Sequence, residues 1–427
     1  MQKKWSLPLT AIGLFLLLAC NFLNLTTQNI TAPAATQPES PPATIAIEAP
    51  STQVPPAEED STEFQTNPDE RREPQRIMDV SANGARSLAI DNFMRVWQWG
   101  TLYGPGSECG GEQTCLRKPT LVPGLDDVVL ISAGETFSLA LKLDGTVWGW
   151  GKNEIYQLGQ GNNSQEYFPT PVQIPGLTDV TYIASSSNFS LALKKDGSVW
   201  AWGHQPMGAL GNGKDSFSNV PYMYEASPAQ VVDLTGIKAI AVGAFHSVAI
   251  DQNGQMWAWG SNQQGELGLG SVDNDQHPRP LKVPGMADVV YVAAGGNNTL
   301  AIRSDDSVWA WGANYLDQLA TGEADFKPHP NPQQIEAFQG ARIGVVSVLD
   351  TGVVKPNGSY WNTFGFTRGA QMAGLPELVW VSGKGNHQLG LTRDGQVWAW
   401  GENTAGQLGV ESVANTFIPI QVEFKQE

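Results

Sequence analysis

Three cysteines and five histidines are the side chains here best suited to metal binding or nucleophilic chemistry, and their spacing argues against most of it. Cys109 and Cys115 flank Gly110-Gly111-Glu112-Gln113-Thr114. Two thiols this close can close a small disulfide loop or supply half of a zinc site. The zinc alternative needs a second ligand pair, and neither another Cys pair nor a His cluster lies nearby. His204, His246, His277, His329 and His387 include no two at ligand spacing. Asp273-Asn274-Asp275 is a short acidic loop without the remaining ligands of a calcium loop. Gly-x-Ser-x-Gly, Gly-x-x-x-x-Gly-Lys-Ser/Thr and His-Glu-x-x-His are all missing from the sequence. The expectation is a protein with no metal, no cofactor and no catalytic residues: not an enzyme.

The elements that would position any site come from a repeat. Val-Trp-x-Trp-Gly stands at Val96–Gly100, Val147–Gly151, Val199–Gly203, Val308–Gly312 and Val397–Gly401, with Met256–Gly260 as a variant and Tyr360–Phe364 as a worn copy. Successive first tryptophans are 51, 52, 57, 52, 52 and 37 residues apart. Such a period marks a repeat architecture. In Ser138–Leu143, Asp144-Gly145, Thr146–Trp150, the Asp-Gly predicts a two-residue type I′ hairpin turn. That register pairs Leu141 with Trp148 and Leu139 with Trp150, and puts Ala140 opposite Gly149. One face is then Trp and Leu, the other Ala and Gly. The first copy departs, with Phe93-Met94 at its turn. A sheet with one large and one small face is stable when it stacks on its neighbours, the large face of each against the small face of the next. A strand before the hairpin (Val128–Ile131, Val180–Ile183, Val289–Val292) and one after it (Pro171–Ile174, Pro280–Val283) complete four strands per unit. Seven copies predict an all-β, seven-bladed propeller of four-stranded blades over 76–427, with a short blade involving residues 366–397. Ile77–Val80 reads as the first inner strand and Pro419–Phe424 as the last outer one, so the two ends of the ring should meet.

The repeat resembles that of the regulator of chromosome condensation family. The resemblance rests on the approach Gly134–Leu141, the Asp-Gly turn, the Trp-x-Trp-Gly strand and the loop Asn-x-x-Gly-Gln-Leu-Gly. That loop stands as Asn262–Gly268 and Asn403–Gly409, and more weakly as Asn153–Gly159 and Asn314–Leu319. It covers roughly residues 76–427 and speaks for fold far more than for activity. The residue before each Ser/Thr-Leu-Ala-Leu strand is Arg86, Phe137, Phe189, His246, Asn298 and His387 in six copies. Equivalent positions lie on one circle, so Arg86, His246, Asn298 and His387 are candidates for a binding surface. The family often places His here to hold the loop by hydrogen bonds, which is the competing reading. The long loop Gly203–Pro228 carries Phe217, Tyr222, Met223 and Tyr224, which would suit a protein partner or pack on the next blade. A rigid ring with variable loops, on an anchor and stalk at the N-terminus, is expected to be a non-enzymatic binding module. That reading leaves two alternatives: an inhibitor of an extracytoplasmic enzyme such as a β-lactamase, and guanine nucleotide exchange.

The chain begins with a targeting signal. Lys3 and Lys4 precede an apolar stretch from Leu7 to Ala19, too short to span a bilayer comfortably. It ends Leu17-Leu18-Ala19-Cys20, which resembles the bacterial lipoprotein signal. The expected organisation is a signal peptide over 1–19, then lipidated Cys20 opening a disordered Pro/Thr/Ala-rich linker over 20–75, then the propeller. Outside the cytoplasm, Cys109 and Cys115 are expected to form a disulfide. The net charge of −17, from 42 acidic and 25 basic residues, disfavours nucleic acid or an anionic membrane surface. The expected protein is a monomer in the bacterial cell envelope, attached to a membrane only through lipid, whose partner is another protein.

Overall fold

The Trp-x-Trp-Gly segment and the run before it form the two middle strands of each repeat, and a strand on either side completes a four-stranded antiparallel sheet. The computed structural model describes residues 76–102, 115–161, 166–204, 206–214, 224–365, 368–412 and 414–425. Seven such sheets, each built from four consecutive strands, make a seven-bladed propeller. Blade 1 contains Ile77–Asn83, Arg86–Asp91, Val96–Thr101 and Cys115–Leu121, from the axis outward. The blades that follow repeat that order along the chain.

The hairpin register differs from the sequence reading by one residue. Leu139 pairs with Gly149, Ala140 with Trp148 and Leu141 with Val147. Blade 3 repeats this as Leu191 with Ala201 and Ala192 with Trp200. The turn is the reason. Only Gly145 has a positive φ (79°), whereas type I′ needs two such residues. Lys142 N donates to Thr146 O at 2.9 Å, which leaves a three-residue loop, Leu143-Asp144-Gly145. This is a type I turn closed by a left-handed glycine. Asp144 Oδ1 accepts from the Thr146 amide at 2.9 Å and its hydroxyl at 2.6 Å, which is why Asp precedes Gly. Blades 1 and 5 place Met94 (φ 58°) and Asp306 (φ 62°) in the glycine's position. Because side chains alternate, a one-residue shift moves Trp from the Leu face to the opposite one.

Each blade therefore has a Trp/Ala/Ser face and a Leu/Val face, and the two meet between neighbours. Phe137, Leu139, Leu141 and Val147 of blade 2 pack on Ala192 and Trp202 of blade 3. Phe189, Leu191, Leu193 and Val199 of blade 3 pack in the same way on Ala249 and Trp259 of blade 4. The stacking expected from the sequence holds, with its two faces recomposed. The second Trp of each pair is buried (Trp99, Trp150, Trp202, Trp259, Trp311, Trp400). The first is half-buried in blades 2 to 7, with a lysine over its ring in several; Lys194 Nζ is 4.7 Å from the Trp200 ring centre. The glycine after the second Trp lets backbones touch: a Cβ on Gly100 (φ 88°) would fall 2.2 Å from the Ala85 carbonyl.

The loop motif also has a physical role. Its Asn is buried and its Oδ1 accepts the amide of the Leu five residues on, at 3.0 Å for Asn153–Leu158 and 2.9 Å for Asn403–Leu408. The carbonyl of the residue before that Leu then accepts the indole N–H of the following blade: Trp202 Nε1 to Gln157 O is 2.8 Å.

The short blade is the sixth, Ile343–Val346, Thr351–Val354, Tyr360–Asn362 and Ala370–Gln371, rather than one centred on 366–397. Most of the 366–397 segment belongs to blade 7, whose inner strands are Leu378–Ser382 and His387–Thr392. The shortened spacing comes from blade 6 having a two-residue outer strand and no Asn-x-x-Gly-x-Leu-Gly loop. The ring closes by face-to-face stacking of blade 7 on blade 1, not by a shared sheet. Ile77 N donates to Gly395 O at 3.1 Å, Trp99 Nε1 to Gln407 O at 2.9 Å, and Phe424 sets its ring edge-on to Trp97 and Trp99 at 5.7 and 5.6 Å.

Candidate binding surface

The residue that opens the second strand of blades 1, 4, 5 and 7 sits at the end of the ring where the long loops emerge. Arg86, His246, Asn298 and His387 are all there, and all are 3% exposed or less. They form no open surface, which corrects the sequence expectation for these four. Each is held by a hydrogen bond at the inner end of its blade. His387 Nε2 is 2.7 Å from Ser87 Oγ, and His246 Nε2 is 2.9 Å from Thr299 Oγ1. Arg86 donates to Leu102 O at 2.7 Å and Ser138 Oγ at 3.2 Å. Asn298 Nδ2 donates to Ala313 O at 2.5 Å. The residue after this position is Ser or Thr in blades 1, 2 and 5, and Ser87, Ser138 and Thr299 are the hydroxyls that His387, Arg86 and His246 of the preceding blades reach. Burial lowers His246 to about 3 and His387 to about 4, so both are neutral at ordinary pH.

The seventh member of this circle is Asp350, which is not among the six read from the sequence because its strand is Thr-Gly-Val-Val. Its signal was positional: it stands directly before Thr351 as His387 stands directly before Gln388. Burial pushes its carboxyl up to about 6 against hydrogen bonds from Ser347 Oγ (2.6 Å) and Gln388 Nε2 (2.5 Å). Tyr360 OH donates to Gln388 Oε1 at 2.5 Å and completes a buried chain between blades 6 and 7.

Tyr224 opens the outer strand of blade 3 and is half-buried, its ring 5.6 Å from Tyr156 and 5.3 Å from His204. It is partly committed to packing on a blade 2 loop. Phe217, Tyr222, Met223, Cys109 and Cys20 lie outside the described residues. Cys115 is buried at the start of the blade 1 outer strand and is disulfide-bonded. At the same end of the ring, Phe326 is 71% exposed and Ile418 76%, and Phe245 and Val272 are exposed as well. The sequence reading overlooked all four: Phe245, Val272 and Phe326 stand singly in loops, and Ile418 lies in the outer strand of blade 7, Thr416–Val422.

At the axis, Lys384 Nζ of blade 7 reaches Ser185 O of blade 3 at 2.9 Å. Those blades stand across the ring from each other, so the lysine crosses the channel; burial lowers it to about 8. Asp79 on the inner strand of blade 1 is pushed up to about 7 by burial, against hydrogen bonds from the Val80 and Ile131 amides. Among the described residues, no three His, Cys, Asp or Glu converge as metal ligands.

Seven blades with Trp–carbonyl ties and a loop-bearing end define a propeller of the chromosome-condensation-regulator type, a scaffold for interaction. Comparison with known proteins agrees: the RCC1-like domain profile matches residues 46–352, and that of the regulator of chromosome condensation (RCC1) repeat matches 394–427. The chain belongs to the RCC1-like domain family. The ultraviolet-B receptor UVR8 of Arabidopsis thaliana is 28% identical over 366 residues, 81% of each chain. RUG3, a mitochondrial RCC1 domain-containing protein of the same plant, is 29% identical over 69% of this chain and 58% of its own length. The human E3 ubiquitin-protein ligase HERC2 is 29% identical over 58% of this chain, which spans 5% of HERC2. In fold, the chain is similar to human WBSCR16 (TM-score 0.67, 22% identity, 77% of this chain and 95% of that one). It is similar also to Prp20p of Saccharomyces cerevisiae (TM-score 0.67, 20% identity, 82% and 88%).

Proposed function

We propose that this protein is a non-enzymatic interaction module that binds a protein partner through the loop end of its ring and is held at a bacterial membrane by lipid on Cys20. The observation that carries the first half is the set of exposed apolar side chains at one end, Phe245, Val272, Phe326 and Ile418, on a scaffold whose interior is committed to inter-blade contacts. Family membership supports it, since Prp20p of the same fold is described with binding properties to Gsp1p and histones. The net charge of −17 favours a partner surface that is not itself strongly acidic. The second half rests on the sequence alone, on the apolar stretch ending at Ala19-Cys20. Inhibition of an extracytoplasmic enzyme, a β-lactamase among them, is one form such binding would take. Guanine nucleotide exchange fits poorly with an exported chain.

The experiment is paired. Residues 76–427, with Phe326 and Ile418 changed together to Ala, are compared with the wild type for melting temperature and for retention of envelope proteins by crosslinking. Unchanged melting with loss of a specific crosslink supports the loop end; unchanged melting with every crosslink retained removes it. For the anchor, mass spectrometry of the mature N-terminus reads lipid on Cys20 directly, and Cys20→Ala should move the protein to the soluble fraction.

A further inference from the structure

Two of the exposed apolar side chains at the loop end stand on elements that pack together. The blade 4 loop lies along the outer strand of blade 5. Gly270 N donates to Pro330 O at 3.0 Å, and a Cβ on Gly265 would fall 2.5 Å from Pro330 Cα. Val272 follows Gly270 closely and Phe326 shortly precedes Pro330, so both are carried at this seam. Phe326 is 71% exposed, and its ring lies 5.6 Å from that of Tyr315 with 33° between the planes. An aromatic ring this open offers a flat face to a partner.

Carboxylates surround that ring with little base to match them. Residues 261–276 hold Glu266, Asp273 and Asp275 and no lysine or arginine. Residues 313–328 hold Asp317, Glu323 and Asp325 against the single base Lys327. Glu266 and Asp317 are buried, and the other four carboxylates reach the surface. Asp273 is committed within its own loop, with His277 Nε2 at 2.9 Å on Oδ1 and Asn262 Nδ2 at 2.9 Å on Oδ2. Asp325 repeats the first of these bonds, with His329 Nε2 at 3.1 Å on Oδ1. Glu323 and Asp275 are exposed. The hairpin end differs, because its loops set bases beside their acids, Lys194 and Lys195 with Asp196 and Arg393 with Asp394. Acid without matching base is thus found where the aromatic ring is exposed.

The combination selects among partners. A purely apolar face would desolvate these carboxylates with no counter-charge, which is costly. An acidic face would be repelled. A guanidinium meets both demands: its flat face stacks on an aromatic ring while its N–H groups donate to carboxylates. We propose that the seam between blades 4 and 5 docks a basic, arginine-bearing segment of a partner protein. One arginine lies on the Phe326 ring and donates to Asp325 and Glu323, and a neighbouring base faces Asp275. The inference rests on the reading of the loop end as a protein-binding surface, and it names the chemistry of the partner.

The probe is a labelled, blocked peptide, Gly-Arg-Ser-Arg-Gly, whose fluorescence anisotropy is followed as residues 21–427 are added. The salt is set at about 0.15 M, where charges more than about 8 Å apart are largely screened. Saturable binding is expected, about tenfold weaker for Phe326→Ala and about as much weaker for Glu323→Gln combined with Asp325→Asn. Phe326→Ala changes an exposed side chain and should melt as the wild type does. Asp126→Asn with Asp127→Asn removes the same charge from two exposed acids at the hairpin end and should alter binding less than about twofold. The peptide with lysine in place of arginine should bind about threefold more weakly, because an ammonium lacks the flat stacking face. The proposal is overturned if the peptide does not bind, or if Phe326→Ala or the lysine peptide binds as well as its parent. It is overturned too if the Asp126/Asp127 variant loses as much as the Glu323/Asp325 variant, since a diffuse field would then account for binding. Loss of envelope crosslinks in the Phe326/Ile418 variant without any peptide binding would sink the basic chemistry and leave the loop end standing. Phe326-dependent peptide binding with every crosslink retained in that variant would do the reverse.

Discussion

Among single side chains, two tryptophans of one motif do different work. Trp202 is fully buried and donates to Gln157 O, while Trp200 is half-buried beneath Lys194. Trp202→Ala should cost about 3–5 kcal/mol through the cavity it leaves, and Trp200→Ala distinctly less. Trp202→Phe keeps most of the packing and should still cost about 1 kcal/mol or more, because the Gln157 carbonyl loses its donor. Urea denaturation of the three variants gives the ranking; equal costs for Trp200→Ala and Trp202→Ala would contradict the burial pattern. Arg86, His246, Asn298 and His387 act in the same local way, each through its own hydrogen bonds. His387→Ala breaks the bonds to Ser87 and to Gly84 O. It should lower stability by about 2 kcal/mol and leave partner affinity per folded molecule unchanged.

The element that decides the interior is the three-residue hairpin loop. Its glycine sits at φ 79° in blade 3, where a Cβ on Gly197 would come within 2.9 Å of Gly236 Cα. Gly197→Ala should therefore cost about 1 kcal/mol or more, seen as a melting temperature several degrees lower. The same loop explains why strands were legible in the sequence and their register was not. Asp-Gly between apolar runs marks a hairpin whichever turn it adopts, and alternation marks which residues share a face within one strand. Whether Trp148 faces Leu141 or Ala140 depends on one extra loop residue, and both registers bury apolar side chains in a stacked ring. The Asp-to-Thr146 bonds that favour the longer loop are visible only in three dimensions.

For the whole ring, closure and pH response are shared properties. Phe424 joins blade 7 to blade 1 against Trp97 and Trp99. Phe424→Ala should destabilise by about 2–3 kcal/mol and show its effect first as faster hydrogen exchange in blades 1 and 7. Four groups spread round the ring, Asp79 half-buried and the others buried, oppose one another in pH. His246 and His387 fall to about 3 and 4 on folding, so unfolding takes up protons below pH about 6.5, and their contribution to stability is lost as pH falls from there. Asp79 and Asp350 rise to about 7 and 6, so the folded form holds extra protons, and their contribution is greatest in acid and lost as pH rises through those values. Near pH 5 the unfolded chain protonates the two histidines and the folded chain the two carboxyls, so the four nearly cancel. Asp79→Asn removes one of the two carboxyls from that balance and leaves Asp350. Its stability should drop by about 1.4 kcal/mol per pH unit on acidification near pH 5, relative to wild type, while exceeding wild type above pH 7. Denaturation curves from pH 4.5 to 8 read both; parallel curves for the two proteins would mean Asp79 is not held protonated.

Local pattern is enough to define the architecture: the period, the strands, the count of seven and the family can all be read along the chain, because every repeat carries a turn and at least one tryptophan, and four of them the loop asparagine. It also shows where the pattern fails, at the worn copy Tyr360–Phe364 and the 37-residue spacing. Which residues are open to a partner emerges only once the blades are stacked. Arg86 and His387 look available as polar side chains on a circle of loops, yet both are consumed by hydroxyls of neighbouring blades, Ser138 and Ser87, that lie 52 and 300 residues away in sequence. Trp400 looks like its five buried counterparts, yet among the described residues blade 6 offers its indole no loop carbonyl of the kind Gln157 O gives Trp202. Exposure is a relation between blades, and a repeat read one copy at a time does not contain it.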